Sequence, residues 1–264
     1  MKFWSVFLIA LLSISLFTAM AQDDEIDDWS FDSTPLKEEK VPYFALAGGY
    51  TGSFFFGNLD EMNSILLGEF LFDENAIESP MFMNGFEIFS GIPFIENFRA
   101  GFFTKSGSLV NETPDANTEG LTKYAEYSIS NSGFNFEYAY VPFKSLAITV
   151  GSGFGWGNID INVYNSRDKI DWNNFDDNSS GTYSHSFEAG YLMIEPKLNI
   201  EYAVQNWLTF RVGAFYALSF METGIFSDSQ WKYNKGADIE NFPDDINASG
   251  MGIQVGILVG LFNY

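Results

Sequence analysis

Seven charged side chains interrupt segments that otherwise alternate large apolar residues with small ones: Glu87, Arg99, Glu137, Glu195, Lys197, Glu201 and Arg211. All seven share the phase of the small residues, so they point away from the apolar face of their own segment. Carboxylates and cations gathered on one side of a sheet pair with one another, hold an ion or pass a proton. Four are acids and three are bases. That excess leaves room for a proton or a bound cation.

A second group of acids sits in two long connecting segments, Asp168, Asp171, Asp176 and Asp177 in one and Asp238, Glu240, Asp244 and Asp245 in the other. Their oxygens suit Ca²⁺, or divalent ions bridged to lipopolysaccharide phosphates. No glycine-punctuated loop of the EF-hand kind accompanies them, so solvation is the default and no metal site is assigned. Trp172, Phe175, Trp231, Tyr233 and Phe242 lie in the same segments, where rings stack on a sugar, meet a partner or form an interface belt. The single histidine, His185, stands between Ser184 and Ser186. A hydrolase would need it beside a nucleophile motif and an orienting acid. Neither is present, so no catalytic residue, cofactor or enzyme activity is expected.

The elements that carry these residues are strands. From Gly133 to Trp156 large apolar side chains occupy alternate positions on both sides of the turn Val141-Pro142-Phe143-Lys144-Ser145. Phe134, Phe136, Tyr138 and Tyr140 share one face of the first arm, with Gly133, Asn135, Glu137 and Ala139 on the other. Leu146, Ile148, Val150, Phe154 and Trp156 do the same on the second. Arms of about ten residues with one apolar face describe a membrane hairpin. Further strands follow at residues 43–56, 84–92, 97–105, up to Tyr202, from Leu208 to Phe220, and 250–264.

Short turns at Pro93-Phe94-Ile95-Glu96, Val141–Ser145 and Ala203-Val204-Gln205-Asn206 share one end, and long connections at 57–83, 106–122, 165–182 and 221–249 share the other. The expected fold is all-β: a closed antiparallel up-and-down transmembrane β-barrel of eight strands, or ten if a loop pairs. Within the first long loop Asn58 caps a short helix to about Leu67, with Leu59, Met62 and Leu66 at helical spacing. It lies over the mouth or dips into it. The alternation changes phase near 131–133, 157–158 and 190–192, where bulges or glycine kinks at a membrane rim are expected. Eight strands leave a narrow interior, so the charged set is expected to be a paired polar filling; an ion or solute path is the alternative.

Residues 1–21 place Lys2 before an apolar run and end in Ala19-Met20-Ala21, a cleavable secretory signal. Residues 22–41 read as an acidic flexible periplasmic leader and 42–264 as the barrel domain. The chain is 46% hydrophobic and 18% aromatic, contains no Cys and carries a formal charge of −22. Disulfides and thiolate sites are excluded, and nucleic acid is an improbable partner for so acidic a chain.

The signal, the strand ladder and the terminal GILVGLFNY resemble the small bacterial outer-membrane β-barrel proteins of the OmpA and OmpX type, over residues 43–264 and without a C-terminal peptidoglycan-binding domain. The resemblance implies an outer-membrane location reached through the periplasm, contact with outer-membrane lipid and lipopolysaccharide, and assembly by periplasmic chaperones and the barrel-assembly machinery. It also implies that Phe262 and Tyr264 form the C-terminal assembly signal, although Met251, Ile253, Val255, Ile257, Val259 and Leu261 make the more apolar face of that strand. The expected role is structural or surface-interacting, through acidic aromatic extracellular loops. One alternative is a narrow pore or hydrophobic-solute transporter gated by the loop-one helix. Another is a soluble secreted carbohydrate-binding β-sandwich.

Overall fold

The computed structural model describes residues 43–70, 72, 77–115, 120–167, 182–221, 231–243 and 245–263. The signal, the leader, Asp168, Asp171, Trp172, Phe175, Asp176, Asp177, Asp244 and Tyr264 lie outside the described residues. Eight long strands alternate with three short turns and longer connections. They are β1 (Phe44–Gly57), β2 (Met81–Gly91), β3 (Phe98–Pro114), β4 (Leu121–Phe143), β5 (Leu146–Arg167), β6 (Ser184–Gln205), β7 (Leu208–Phe220) and β10 (Gly250–Asn263). Every neighbour is antiparallel, in the order β5-β4-β3-β2-β1-β10-β7-β6, and β5 pairs with β6 from Leu146↔Tyr202 to Tyr164↔Ser184. That last seam closes the ring, so the two-sheet sandwich that the same alternation permits is not formed. Two further strands, β8 (Lys232–Tyr233) and β9 (Ala237–Asp238), make a small hairpin against the loop end of β6, and the barrel itself stays at eight.

Side chains change chemistry in rows across the strands. The outward row Phe102–Phe134–Phe154–Ile194 is followed toward the loop end by Thr104–Ser132–Trp156–Leu192, then by Ser106–Ser130–Asn158–Gly190 and Ser108–Ser128–Asp160–Glu188. Inward rows change in the opposite sense, from Glu137 and Lys197 to Ile129–Ile159–Ala189. In hydrocarbon the outside must be apolar and polar groups must be satisfied within; in water an apolar interior and a polar exterior are stable. One strand obeys both rules by inverting its pattern where the solvent changes.

This inversion corrects the expected bulges at the rim. β4 and β5 pair in unbroken register from Leu121↔Arg167 to Tyr140↔Ile148, and the register shifts lie at the short turns, at Tyr140/Phe143 and Ala203/Gln205. The phase change belongs to residue chemistry and not to the backbone. The same continuation shortens the second long connection, expected at 106–122, to about residues 115–120, because β3 and β4 stay paired through Pro114↔Thr122.

The barrel is therefore uneven in height. β4, β5 and β6 have 23, 22 and 22 residues, against 11, 13 and 14 for β2, β7 and β10. A tilted span needs only about 9–11, so the tall strands rise well above the apolar belt. Glycines on the outer face of β1 are covered by neighbouring rings. A Cβ on Gly52 would lie 3.1 Å from Phe82 Cζ and one on Gly48 3.3 Å from Phe86 Cζ, so the rings settle where no side chain intervenes.

Three layers fill the interior. Tyr43, Ala45, Ala47, Phe89, Ala139, Ala147, Leu258 and Phe262 pack at the short-turn end, charged groups occupy the middle, and an apolar core about Ile129, Ile159, Ile161 and Met193 fills the tall part. The helix α1 (Asp60–Glu69) closes that upper core with Met62 and Leu66, the latter fully buried. It begins one residue later than expected. Asn58 Oδ1 accepts a hydrogen bond from Asp60 N at 3.0 Å, while Leu59 holds the N-cap position without a side-chain bond. Because Leu66 is closed in on all sides, Leu66→Ala is expected to cost about 2–5 kcal/mol. It should lower the urea midpoint of the lipid-folded barrel, and an unchanged midpoint would show that the helix is a detachable cover.

Candidate functional site: the charged layer

Strand parity puts all seven charged residues inside, each no more than 5% exposed. β3, β4, β6 and β7 each contribute one residue to a continuous alternating chain that ends on Glu87 of β2. Arg99 Nε donates to Glu137 Oε2 at 2.8 Å, and its two terminal nitrogens grip Glu201 at 2.6 and 2.9 Å. Arg211 Nε donates to Glu201 Oε1, the oxygen that also accepts from Arg99 Nη2, at 2.8 Å, and Arg211 Nη1 reaches Glu87 Oε2 at 2.7 Å. Glu201 is thus held by two guanidinium groups, that of Arg99 in the paired two-nitrogen, two-oxygen geometry that makes such contacts strong and directional. The Phe89 ring lies 4.2 Å from the Arg99 guanidinium carbon and 5.2 Å from that of Arg211, adding its π face to the same cations.

Glu195 and Lys197 form a second group with a residue that parity counting missed. Lys105 Nζ makes an ion pair with Glu195, and Lys197 Nζ lies 3.3 Å from the same carboxylate. Lys105 has the phase of Arg99 but falls where the third strand was expected to end; β3 continues to Pro114, so the side chain is an interior one. Lys105 Nζ also sits 3.7 Å from the centre of the Phe215 ring. That ring needs Gly252, where a Cβ would come within 2.3 Å of Phe215 Cζ.

With Lys105 included, the layer holds four acids and four bases. This replaces the expected excess of one acid with an even count. Neutral partners extend the network: Arg99 Nη1 donates to the Tyr43 hydroxyl at 2.9 Å, Lys197 Nζ to Asn135 Oδ1 at 2.7 Å, and Asn199 Nδ2 to Glu137 Oε1 at 2.9 Å, while Glu87 Oε1 and Asn135 Nδ2 are buried without a hydrogen-bond partner. Sequence reading passes over them because an uncharged polar residue on the inner phase looks like any small residue there.

Two small apolar cavities lie among the described residues. One apolar cavity of about 20 Å³ lies beneath α1, lined by Met62, Leu66, Phe70, Ile161 and Val163 among others, and one of about 10 Å³ lies beside Phe55, Leu59, Met81, Leu109 and Tyr127. Either holds about one water molecule.

Candidates outside the layer are placed differently. Asp238, Glu240 and Asp245 are exposed, and among the described residues no three His, Asp or Glu side chains gather to hold a metal. Trp231 is buried and stacks on Phe242 at 4.1 Å, so these rings pack on each other instead of forming a belt or an open sugar platform. His185 Nδ1 lies 2.6 Å from the Tyr233 hydroxyl, among the rings of Phe70, Tyr183 and Tyr233. It belongs to this aromatic cap.

On the outer face of the tall sheet Asp160 stands directly across from Glu188. Partial burial, Glu188 and Glu126 push its carboxyl above the usual range, and Lys235 pulls it back. Phe262 points into the lower core, 8% exposed, while Leu261 faces out at 66%. Phe262 thus lies on the face opposite Met251, Ile253, Val255, Ile257, Val259 and Leu261, as the alternation of the strand indicates. β10 pairs with β1 without a bulge from Phe44↔Asn263 to Gly57↔Gly250, so its second face simply packs within.

No family model matches the chain, and no curated protein matches it in sequence. Among solved structures it is similar to a major outer membrane protein from Thermus thermophilus, at 9% identity and a TM-score of 0.42 over 82% of this chain and 99% of that one. Neisserial surface protein A is similar at 9% identity and a TM-score of 0.43, over 82% and 96%. The outer membrane protein OprG from Pseudomonas aeruginosa is similar at 10% identity and a TM-score of 0.34, over 84% and 94%. The structural neighbours of this eight-stranded chain are small β-barrel proteins of bacterial outer membranes.

Proposed function

We propose that the chain is an integral outer-membrane protein whose lumen is filled, not conducting, and which acts through the part of the barrel that stands outside the cell. The observation that supports this most is the inversion of side-chain chemistry along β3–β6, which needs hydrocarbon around one half of the strands and water or sugar around the other. The paired charges across the middle of the barrel and the apolar core above them favour a closed interior over the pore or hydrophobic-solute transporter. The helix α1, packed into the upper core, has the burial of a fixed plug.

The role is structural or surface-interacting. The serine and asparagine rows directly above the belt lie at the height of lipid headgroups, where they meet lipopolysaccharide sugars and phosphates. Delivery by periplasmic chaperones and insertion by the barrel-assembly machinery follow from the location, and His185 is assigned no catalytic part. Cell fractionation is expected to find the protein in the detergent-extracted outer-membrane fraction. Reconstituted in planar bilayers, it should give no steady open level; a steady level would overturn the filled-lumen reading.

A further inference from the structure

The outward apolar run is not equally tall on every strand. On β5 it reaches from Leu146 to Trp156, on β6 from Val204 to Leu192, on β7 from Leu208 to Phe220 and on β10 from Leu261 to Met251, broken only by Ser152 and Pro196. Each matches the roughly 9–11 residues of a tilted membrane strand. β3 and β4 stop short. β3 turns out Phe98, Ala100 and Phe102 before Thr104, and β4 turns out Tyr140, Tyr138, Phe136 and Phe134 before Ser132. All these runs begin at the short-turn end, so the difference lies at the upper edge.

Register sharpens the contrast. The row through Phe134 meets β10 at Val259 by way of β3, β2 and β1. By way of β5 and β6 it meets β7 at Leu218, beyond the Ala217↔Gly250 pair at the top of β10. Rows therefore climb toward β7, and Trp156 and Leu192, in the row of Ser132, stand higher in the leaflet than that serine.

The result is a polar notch in the upper edge of the belt, made by Asn84, Thr104, Ser106, Ser130 and Ser132. Asn84, Ser106 and Ser130 are direct cross-strand neighbours, as are Thr104 and Ser132. Phe82 and Phe86 flank the notch on β2, Trp156 flanks it on β5, and Phe102 and Phe134 form its floor. Two of its groups are tied within the barrel: Ser132 Oγ donates to Thr104 Oγ1 at 3.1 Å, and the Tyr50 hydroxyl donates to Asn84 Oδ1. The Ser106 and Ser130 hydroxyls have no hydrogen-bond partner among the described residues. Polar groups at hydrocarbon depth need a partner.

We propose that the notch seats the polar linkage region of one outer-leaflet lipid, of the class whose acyl chains carry hydroxyl or amide groups close to the headgroup, as the lipid of lipopolysaccharide does. The notch is continuous with the lipid-facing belt, which identifies its occupant as lipid. Three strands about 4.8 Å apart make a slot about 10 Å across, the breadth of a lipid and not of a protein domain. Serine and threonine hydroxyls both donate and accept, and Asn84 adds an amide donor. An ordinary phospholipid ester offers acceptors alone, whereas a hydroxylated or amide-linked chain answers both kinds of group at the depth where the neighbouring strands are still apolar. Such a seat requires an outer leaflet around the belt, so it rests on the outer-membrane reading and names the lipid that reading leaves open.

The test is the lipid retained by the mature chain after folding into phosphatidylcholine nanodiscs containing a small fraction of lipid A, followed by transfer to mild detergent and native mass spectrometry. Two hydrogen bonds made at hydrocarbon depth should enrich lipid A about tenfold over its share of the disc. Phosphatidic acid, an anion without chain hydroxyls, should show no enrichment in its place. Ser106→Val combined with Ser130→Leu and Ser132→Leu fills the notch with apolar side chains and should abolish the enrichment.

Retention of lipid A at the disc's own proportion, equal enrichment of phosphatidic acid, undiminished enrichment by the triple variant, or a dimer that carries no lipid would each overturn the proposal. The comparison of the two lipids needs no substitution, so a variant that fails to fold leaves it decisive. Failure of the membrane reading looks different: the chain would fold in water and retain no lipid of either kind.

Discussion

Arg99→Met is expected to be the most damaging single change in the interior. The Arg99 side chain is fully buried and joins Glu137, Glu201 and the Tyr43 hydroxyl. Methionine fills much of its volume but supplies none of its donors. Glu137 is then left as a buried carboxylate without its guanidinium, while Glu201 keeps only Arg211. Removing one partner of a buried ion pair costs about 3–5 kcal/mol, most of it the desolvation of the abandoned charge. The fall should appear as a lower urea midpoint and an earlier loss of the compact, fast-migrating form on heating in detergent. Arg99→Met combined with Glu137→Leu removes both ends of one contact and leaves Glu201, Arg211 and Glu87 linked, so it should recover most of the loss. If the single variant unfolds like the parent, the layer is not a paired structural core.

The barrel could be read from the chain because its two faces must meet different surroundings, and period-two alternation records that demand residue by residue. Phe134, Phe136, Glu137 and Arg99 are assigned correctly by counting alone. The count fails at Lys105, where the expected strand end coincides with a supposed loop boundary. That failure concerns where a strand stops, and alternation is silent on that once the solvent changes, whereas at Phe262 the plain alternation of β10 gives the inward face correctly. The exact partners of Arg99 and Arg211 come from β2, β4, β5 and β6. Such contacts depend on register and shear, which no single segment encodes.

Two arginine substitutions on β4 separate the membrane reading from every soluble alternative. Phe136 and Ser130 both point outward on one strand, and Phe136 lies near the middle of the apolar belt while Ser130 lies just above it. Phe136→Arg is expected to cost about 2–4 kcal/mol, since its guanidinium must be solvated in hydrocarbon or drag water toward it. Ser130→Arg is expected to change stability by no more than about 0.5 kcal/mol, as for an ordinary surface position. Reversible urea unfolding in phospholipid vesicles would measure the difference, and folding yield into vesicles should fall only for Phe136→Arg. In a water-soluble particle the same exchange at Phe136, which is 41% exposed, would be harmless, because arginine is well solvated at an exposed strand position. Equal midpoints would therefore remove hydrocarbon from around the belt. A deficit confined to Phe136 would locate the boundary between residues 130 and 136, where interior and exterior exchange their chemistry.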